Sequence, residues 1–166
     1  MFVCDTISLD DMKKKYVPFN KSIVYAAELM TKAFKEAARK FHKDMNFEIN
    51  HEEFIVLESI YTNPGIIQIN IAKNILMKRS YVCKFLVQLE EKGYIYKKQA
   101  IRGKRQIIME NYITPEGEKV YKKVVDFIEK DIEKCSTEYN LDDLERITNV
   151  MFDWAEKIKK ECNLKY

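Results

Sequence analysis

Residues 68–93, QINIAKNILMKRSYVCKFLVQLEEKG, hold two helical patterns separated by only a few residues. In the first, Gln68 to Leu76, the inward positions are Ile71, Ala72 and Ile75. The second runs from Arg79 to Lys92 and is closed by Gly93, the residue type that best takes the left-handed conformation past a helix end. At about 100° per residue, Val82, Phe85, Leu86 and Leu89 converge on one side of it. Ser80, Lys84, Gln88 and Glu91 point the other way, with Tyr81 on the flank. Two helices joined by so short a connection form a helix-turn-helix.

The flanking sequence completes a larger unit. Upstream, Asn50 and Glu53 have capping-box spacing and open a helix carrying Phe54, Ile55, Leu57 and Ile60, which stops at Asn63-Pro64-Gly65. Downstream, Tyr94–Gln99 and Gln106–Ile113 are rich in Tyr and Ile and predict two strands. Between them lies Ile101-Arg102-Gly103-Lys104-Arg105, a hairpin tip crowded with cations. Thr114-Pro115-Glu116 then opens a helix with a cap, a proline in the first turn and an acid. It extends to about Cys135, with Val120, Val124, Phe127, Ile128 and Ile132 on its stripe.

The outer segments are helical too. Ser8-Leu9-Asp10-Asp11 predicts a short helix ending before Pro18. Asn20 is placed to cap a long helix from Lys21 to Asn46, whose stripe is Ile23, Ala27, Met30, Phe34, Ala37, Phe41 and Met45. Asn140 and Asp143 open the last helix, with Leu144, Ile147, Met151, Trp154 and Ile158 at three-to-four spacing. These flanking stripes have no partner left in so small a unit, which predicts a homodimer. The expected class is therefore mainly α with a small β-hairpin wing. A winged helix-turn-helix over 49–117 is flanked by dimerisation helices over 1–48 and 118–166.

Composition agrees. Hydrophobic residues make up 46% and charged residues 33%, and 4 Gly with 3 Pro leave little material for linkers. No run of about 18 apolar residues is present to span a membrane, and the opening Met1-Phe2-Val3-Cys4-Asp5 lacks the features of a signal peptide. A cytoplasmic location is expected. Cys4, Cys83, Cys135 and Cys162 are scattered without a CxxC pair, and are read as free thiols rather than redox switches. His42 and His51 make no metal-ligand pattern. No nucleophile elbow, phosphate loop or dinucleotide fingerprint occurs, so neither an enzyme nor a cofactor is expected.

Charge distribution points to the partner. Nine cations (Lys78, Arg79, Lys84, Lys92, Lys97, Lys98, Arg102, Lys104 and Arg105) face two acids, Glu90 and Glu91, between residues 78 and 105. The whole chain carries only +3, so everything outside this segment is net acidic. A basic stretch split between a helix and a hairpin tip suits double-stranded DNA. Helix 79–92 would read the major groove, and the 94–113 wing would reach flanking DNA. The predicted contacts are Lys78, Arg79, Ser80, Tyr81, Lys84, Gln88, Arg102, Lys104 and Arg105. A winged-helix module that binds another protein is the alternative.

The motifs resemble the MarR family of bacterial regulators. The residues that carry the likeness are Ile49-Asn50-His51-Glu52-Glu53-Phe54, Pro64-Gly65, Ile71-Ala72, Ser80-Tyr81-Val82-Cys83-Lys84, Leu89-Glu90-Glu91-Lys92-Gly93-Tyr94-Ile95 and Ile113-Thr114-Pro115-Glu116-Gly117. The resemblance implies a dimer held by N- and C-terminal helices, and repression of nearby genes relieved by a small-molecule effector or an oxidant. Two departures concern DNA contacts. Cys83-Lys84 stands where the family often has Ser or Thr followed by Arg. The family's wing Asp-x-Arg has no acid here, which leaves Arg102 and Arg105 as alternative wing arginines.

Overall fold

The computed structural model describes residues 18–45, 48–103 and 106–164. The short helix expected at Ser8–Asp11 lies outside them. The chain divides into two compact units, one up to Asn46 and one from Phe47 onward.

In the first unit, a 3-10 turn over Phe19–Lys21 precedes helix α1, Ile23–Met45. The cap is Ser22 rather than the expected Asn20. Its hydroxyl donates to the Phe19 carbonyl at 2.6 Å and accepts the Tyr25 N–H at 3.2 Å. The reason is local: the Lys21 N–H is bonded to the Pro18 carbonyl, so residues 19–21 are tied up in their own turn. Helicity can begin only after Ser22, which is extended. On α1, Ala27 and Ala37 are half-buried, whereas Ile23, Met30 and Phe34 are exposed.

The second unit opens with α2, His51–Thr62, held by the predicted capping box. Asn50 accepts the Glu53 N–H at 2.9 Å, and Glu53 accepts the Asn50 N–H at 2.8 Å. Gly65, at φ +85°, turns the chain where an added Cβ would lie 3.0 Å from the Tyr112 hydroxyl. There follow strand β1 (Ile66–Ile67), helix α3 (Gln68–Asn74) and helix α4 (Arg79–Glu91). Leu76, between the two helices, takes φ +52°, a left-handed conformation uncommon for a branched side chain. Strands β2 (Ile95–Arg102) and β3 (Gln106–Ile113) form the hairpin, and helices α5 (Pro115–Ser136) and α6 (Leu141–Glu161) close the chain.

The sheet has three antiparallel strands in the order β1-β3-β2, one more than the two-stranded hairpin expected. β1 is two residues long and exists through pairing with Asn111 and Glu110 on β3. Ile49, Leu57, Ile60, Ile71, Val82, Leu89 and Ile95 form a buried core under the sheet, which Val124 of α5 joins. Tyr121 of α5 stacks on Tyr61 of α2 at 4.2 Å, so the first half of α5 is part of this unit. Burial raises the Tyr121 phenol's pKa, and a hydrogen bond to Glu58 adds to the effect. By contrast α6 has no buried residue among those described, and Ile147, Met151, Trp154 and Ile158 are exposed. Three helices followed by a long antiparallel hairpin make a winged helix-turn-helix.

Candidate nucleic-acid interface

Helix α4 has two sides. Val82, Leu86 and Leu89 are buried and Phe85 packs against the same core. Ser80, Tyr81, Cys83, Lys84 and Val87 are exposed. The helix is aimed by a contact absent from the sequence reading: Gln68 Nε2, at the start of α3, donates to the Arg79 carbonyl at 2.9 Å. The first turn of the exposed helix is thus tied to its neighbour.

Gln88 is placed differently from the expectation. It is half-buried, and its Oε1 is enclosed without a hydrogen-bond partner among the described residues. A helix of 3.6 residues per turn drifts about 40° every four residues, so the Ser80–Lys84–Gln88 row curls toward the core at its third member. Val87, which the sequence reading passed over, lies nearer the outward direction. An exposed valine there can meet a thymine methyl group.

Six of the nine cations have described side chains, and they separate into two sets. The Lys92 ammonium donates to both carboxylate oxygens of Glu53, at 2.7 and 2.8 Å, and to the Glu48 carbonyl at 3.0 Å. Lys97 of β2 pairs with Glu90 of α4 at 2.5 Å. These two brace the fold. Lys78, Arg79, Lys84 and Lys98 make no ion pair among the described residues and are exposed. Lys98 lies directly across the hairpin from Glu110; the other three stand together at the start of α4 without an acid partner among the described residues, the condition for binding a polyanion. Arg102 ends β2 opposite Gln106, and Gly103 follows at φ +58°. Lys104, Arg105 and the Arg102 side chain lie outside the described residues.

The junction between helix and wing is rigidly built. Tyr94 is 9% exposed, and its hydroxyl donates to the Glu48 carboxylate. Burial first, then this hydrogen bond, pushes its phenol up to about 12. Thr114 donates to the Gly93 carbonyl at 2.7 Å and accepts the Gly117 N–H at 3.0 Å, so one hydroxyl joins the end of the α4 turn to the start of α5. A side chain at Gly117 would collide with the Tyr94 carbonyl at 2.1 Å, so only glycine permits this approach.

Nothing among the described residues forms a cluster of three or more His, Cys, Asp or Glu suited to a metal ion. No helix among them is long and apolar enough to cross a membrane. Cys83 and Cys162 are free and exposed.

The family model described as MarR family matches residues 49–107, from the start of α2 through the wing turn. Comparison with curated protein sequences finds no match. Solved structures share the fold. A MarR family transcriptional regulator from Listeria monocytogenes complexed with 26mer DNA is 21% identical, with a TM-score of 0.72 over 85% of this chain and 91% of that one. The S. aureus MepR–DNA complex is 17% identical, at 0.67 over 85% and 99%. The PcaV transcriptional regulator from Streptomyces coelicolor, in complex with its natural ligand, is 16% identical, at 0.65 over 86% and 97%.

Proposed function

From a MarR-matching core at residues 49–107, we propose that this chain is a homodimeric, sequence-specific DNA-binding transcriptional regulator that acts as a repressor in the cytoplasm. The observation that carries the reading is the outward face at the start of α4. Lys78, Arg79, Ser80 and Lys84 are exposed there without acid partners, next to a wing whose turn carries Arg102, Lys104 and Arg105. A helix is narrow enough to enter a major groove, where Lys84 donates to guanine acceptors and Ser80 to a base edge or phosphate. Tyr81 flanks the same entry, and the wing cations take phosphates or the minor groove. Two fold relatives are solved with DNA, which supports the assignment.

The DNA-binding unit in this reading is 49–117, with dimerisation helices over 1–48 and 118–166. The exposed apolar residues of α1 and α6 are the basis for the dimer. Burying such a side chain contributes roughly 1.5–3 kcal/mol, which favours pairing of two copies against the cost of association. A small-molecule effector acts by binding the DNA-competent and DNA-incompetent states with different affinity; the PcaV complex with its natural ligand supports this part.

The test joins sedimentation to a gel shift on the promoter region beside the gene. A dimer that retards this duplex, and retards a scrambled duplex only at higher concentration, is the expected result. A stable monomer at micromolar concentration contradicts the dimer. Absence of any shift contradicts DNA binding and favours a protein partner for the wing.

A further inference from the structure

Strands β2 and β3 are in register from Ile95↔Ile113 to Arg102↔Gln106. Side chains alternate along a strand, so Ile95, Lys97, Gln99 and Ile101 share a face with Ile113, Asn111, Met109 and Ile107. At its near end this face belongs to the core, where Ile95 and Asn111 are buried. In its middle, Lys97 reaches Glu90, which turns the face toward α4. Past Lys97 the face loses its cover; beside the polar Gln99 it carries three apolar side chains. Met109 is 47% exposed, Ile107 63% and Ile101 74%. Ile101 and Ile107 are direct cross-strand partners, one position before the cationic turn on either strand.

A cross-strand isoleucine pair contributes only about 0.2–1 kcal/mol to a hairpin end, and much of this pair's apolar surface stays in water. Three side chains are also far short of the roughly 800 Å² per partner that a stable protein interface needs. The pair directly precedes a turn whose sequence carries Arg102, Lys104 and Arg105, a run of like charge that disfavours a second copy and attracts a polyanion. The surface that matches is the minor groove. Its walls are deoxyribose C–H groups, its rims are phosphates, and apolar side chains insert there in other DNA-binding proteins.

We propose that Ile101 and Ile107 form an apolar ledge that packs into the DNA minor groove on the recognition-helix side of the wing. The proposal rests on the DNA-binding reading above and adds a source of sequence preference to it. Guanine places an amino donor on the minor-groove floor, and an isoleucine leaves that donor unpaired, so the ledge favours A·T pairs beneath the wing. The contact releases no counterions, so it adds affinity without adding to the salt dependence.

The experiment compares the parent with the Ile101→Thr/Ile107→Thr variant. Threonine keeps the β-branched shape of a strand residue, and both positions are exposed, so the hairpin is retained. Affinity is measured by fluorescence anisotropy at several salt concentrations. One duplex is the promoter region beside the gene, and a second has the pairs under the wing changed from A·T to G·C. The expected result is binding about fivefold weaker on the A·T duplex, a smaller A·T preference and an unchanged salt slope. Equal affinity and preference for parent and variant, with the parent binding DNA, overturns the ledge alone. A parent that binds neither duplex overturns the DNA-binding reading and the ledge with it. A variant whose sedimenting mass falls while its DNA affinity holds assigns the patch to contact between copies, which also overturns the proposal.

Discussion

The Lys92 ammonium bridges both carboxylate oxygens of the buried Glu53, which ties the end of α4 to the first turn of α2. Glu53 is simultaneously the capping-box partner of Asn50, so a single carboxylate starts one helix and anchors the end of another. Replacing Lys92 by Met leaves that carboxylate buried without its cation. Breaking a fully buried pair costs about 3–5 kcal/mol; Lys92 is partly exposed, so about 2 kcal/mol is expected. Urea denaturation of Lys92→Met checks the figure, and Glu53→Gln/Lys92→Met should recover part of the loss. A single variant as stable as the parent contradicts the anchoring role.

Tyr94 supplies a pH test. Its phenol is raised from the ordinary value of 10.0 to about 12, chiefly by burial and then by donating to Glu48. The protonated form is therefore favoured in the fold. Its stabilisation is fully present below pH 10 and is lost as pH rises toward 12. Compared with the parent, Tyr94→Phe should lose less stability between pH 10 and 12. Parallel stability curves through that window would show that Tyr94 is not coupled in this way.

Local signals made most of the scaffold legible. The Asn50–Glu53 box, the Gly93 stop and the Thr114-Pro115 start each depend on residues within one helical turn, and each is found where the spacing predicts. What escaped is non-local. Strand β1 has two residues and no pattern of its own, and only its pairing with β3 defines it. The partner of Lys92 lies 39 positions away in sequence, so its structural use was hidden within a run of cations. Asn20 and Ser22 are both competent caps, and the 3-10 turn between Pro18 and Lys21 decides between them. Gln88 was assigned to the exposed row by spacing, but the drift of that row half-buries it. The MarR resemblance, read from short motifs, is met by the family match over 49–107.

Gly117 admits no side chain. The Cβ of an alanine would stand 2.1 Å from the Tyr94 carbonyl oxygen, a backbone atom that cannot swing aside. Gly117→Ala should force α5 away from the start of β2 and destabilise the protein by more than the ~1–3 kcal/mol typical of overpacking. A thermal midpoint equal to the parent's would contradict this geometry.

The wing cations and the helix cation should fail differently. Arg102→Ala or Arg105→Ala should weaken binding to operator and random duplexes alike. Each lost phosphate contact lowers the salt slope by about 1. Wing variants that bind as the parent does, with the same slope, would remove the hairpin from the interface.

Lys84 bears most directly on the central claim, that the exposed face of α4 reads DNA sequence. It is exposed, lacks an ion-pair partner among the described residues, and sits one turn past Ser80 on the outward side. The measurement is the affinity of parent and Lys84→Ala for the promoter duplex and for a scrambled duplex of equal length, at one fixed salt concentration. Loss of a base-edge contact costs about 1–3 kcal/mol on the operator and much less on random sequence, so the operator-to-random ratio should fall by about tenfold. A folded Lys84→Ala protein with the parent's ratio would mean that this face of the helix does not read the groove.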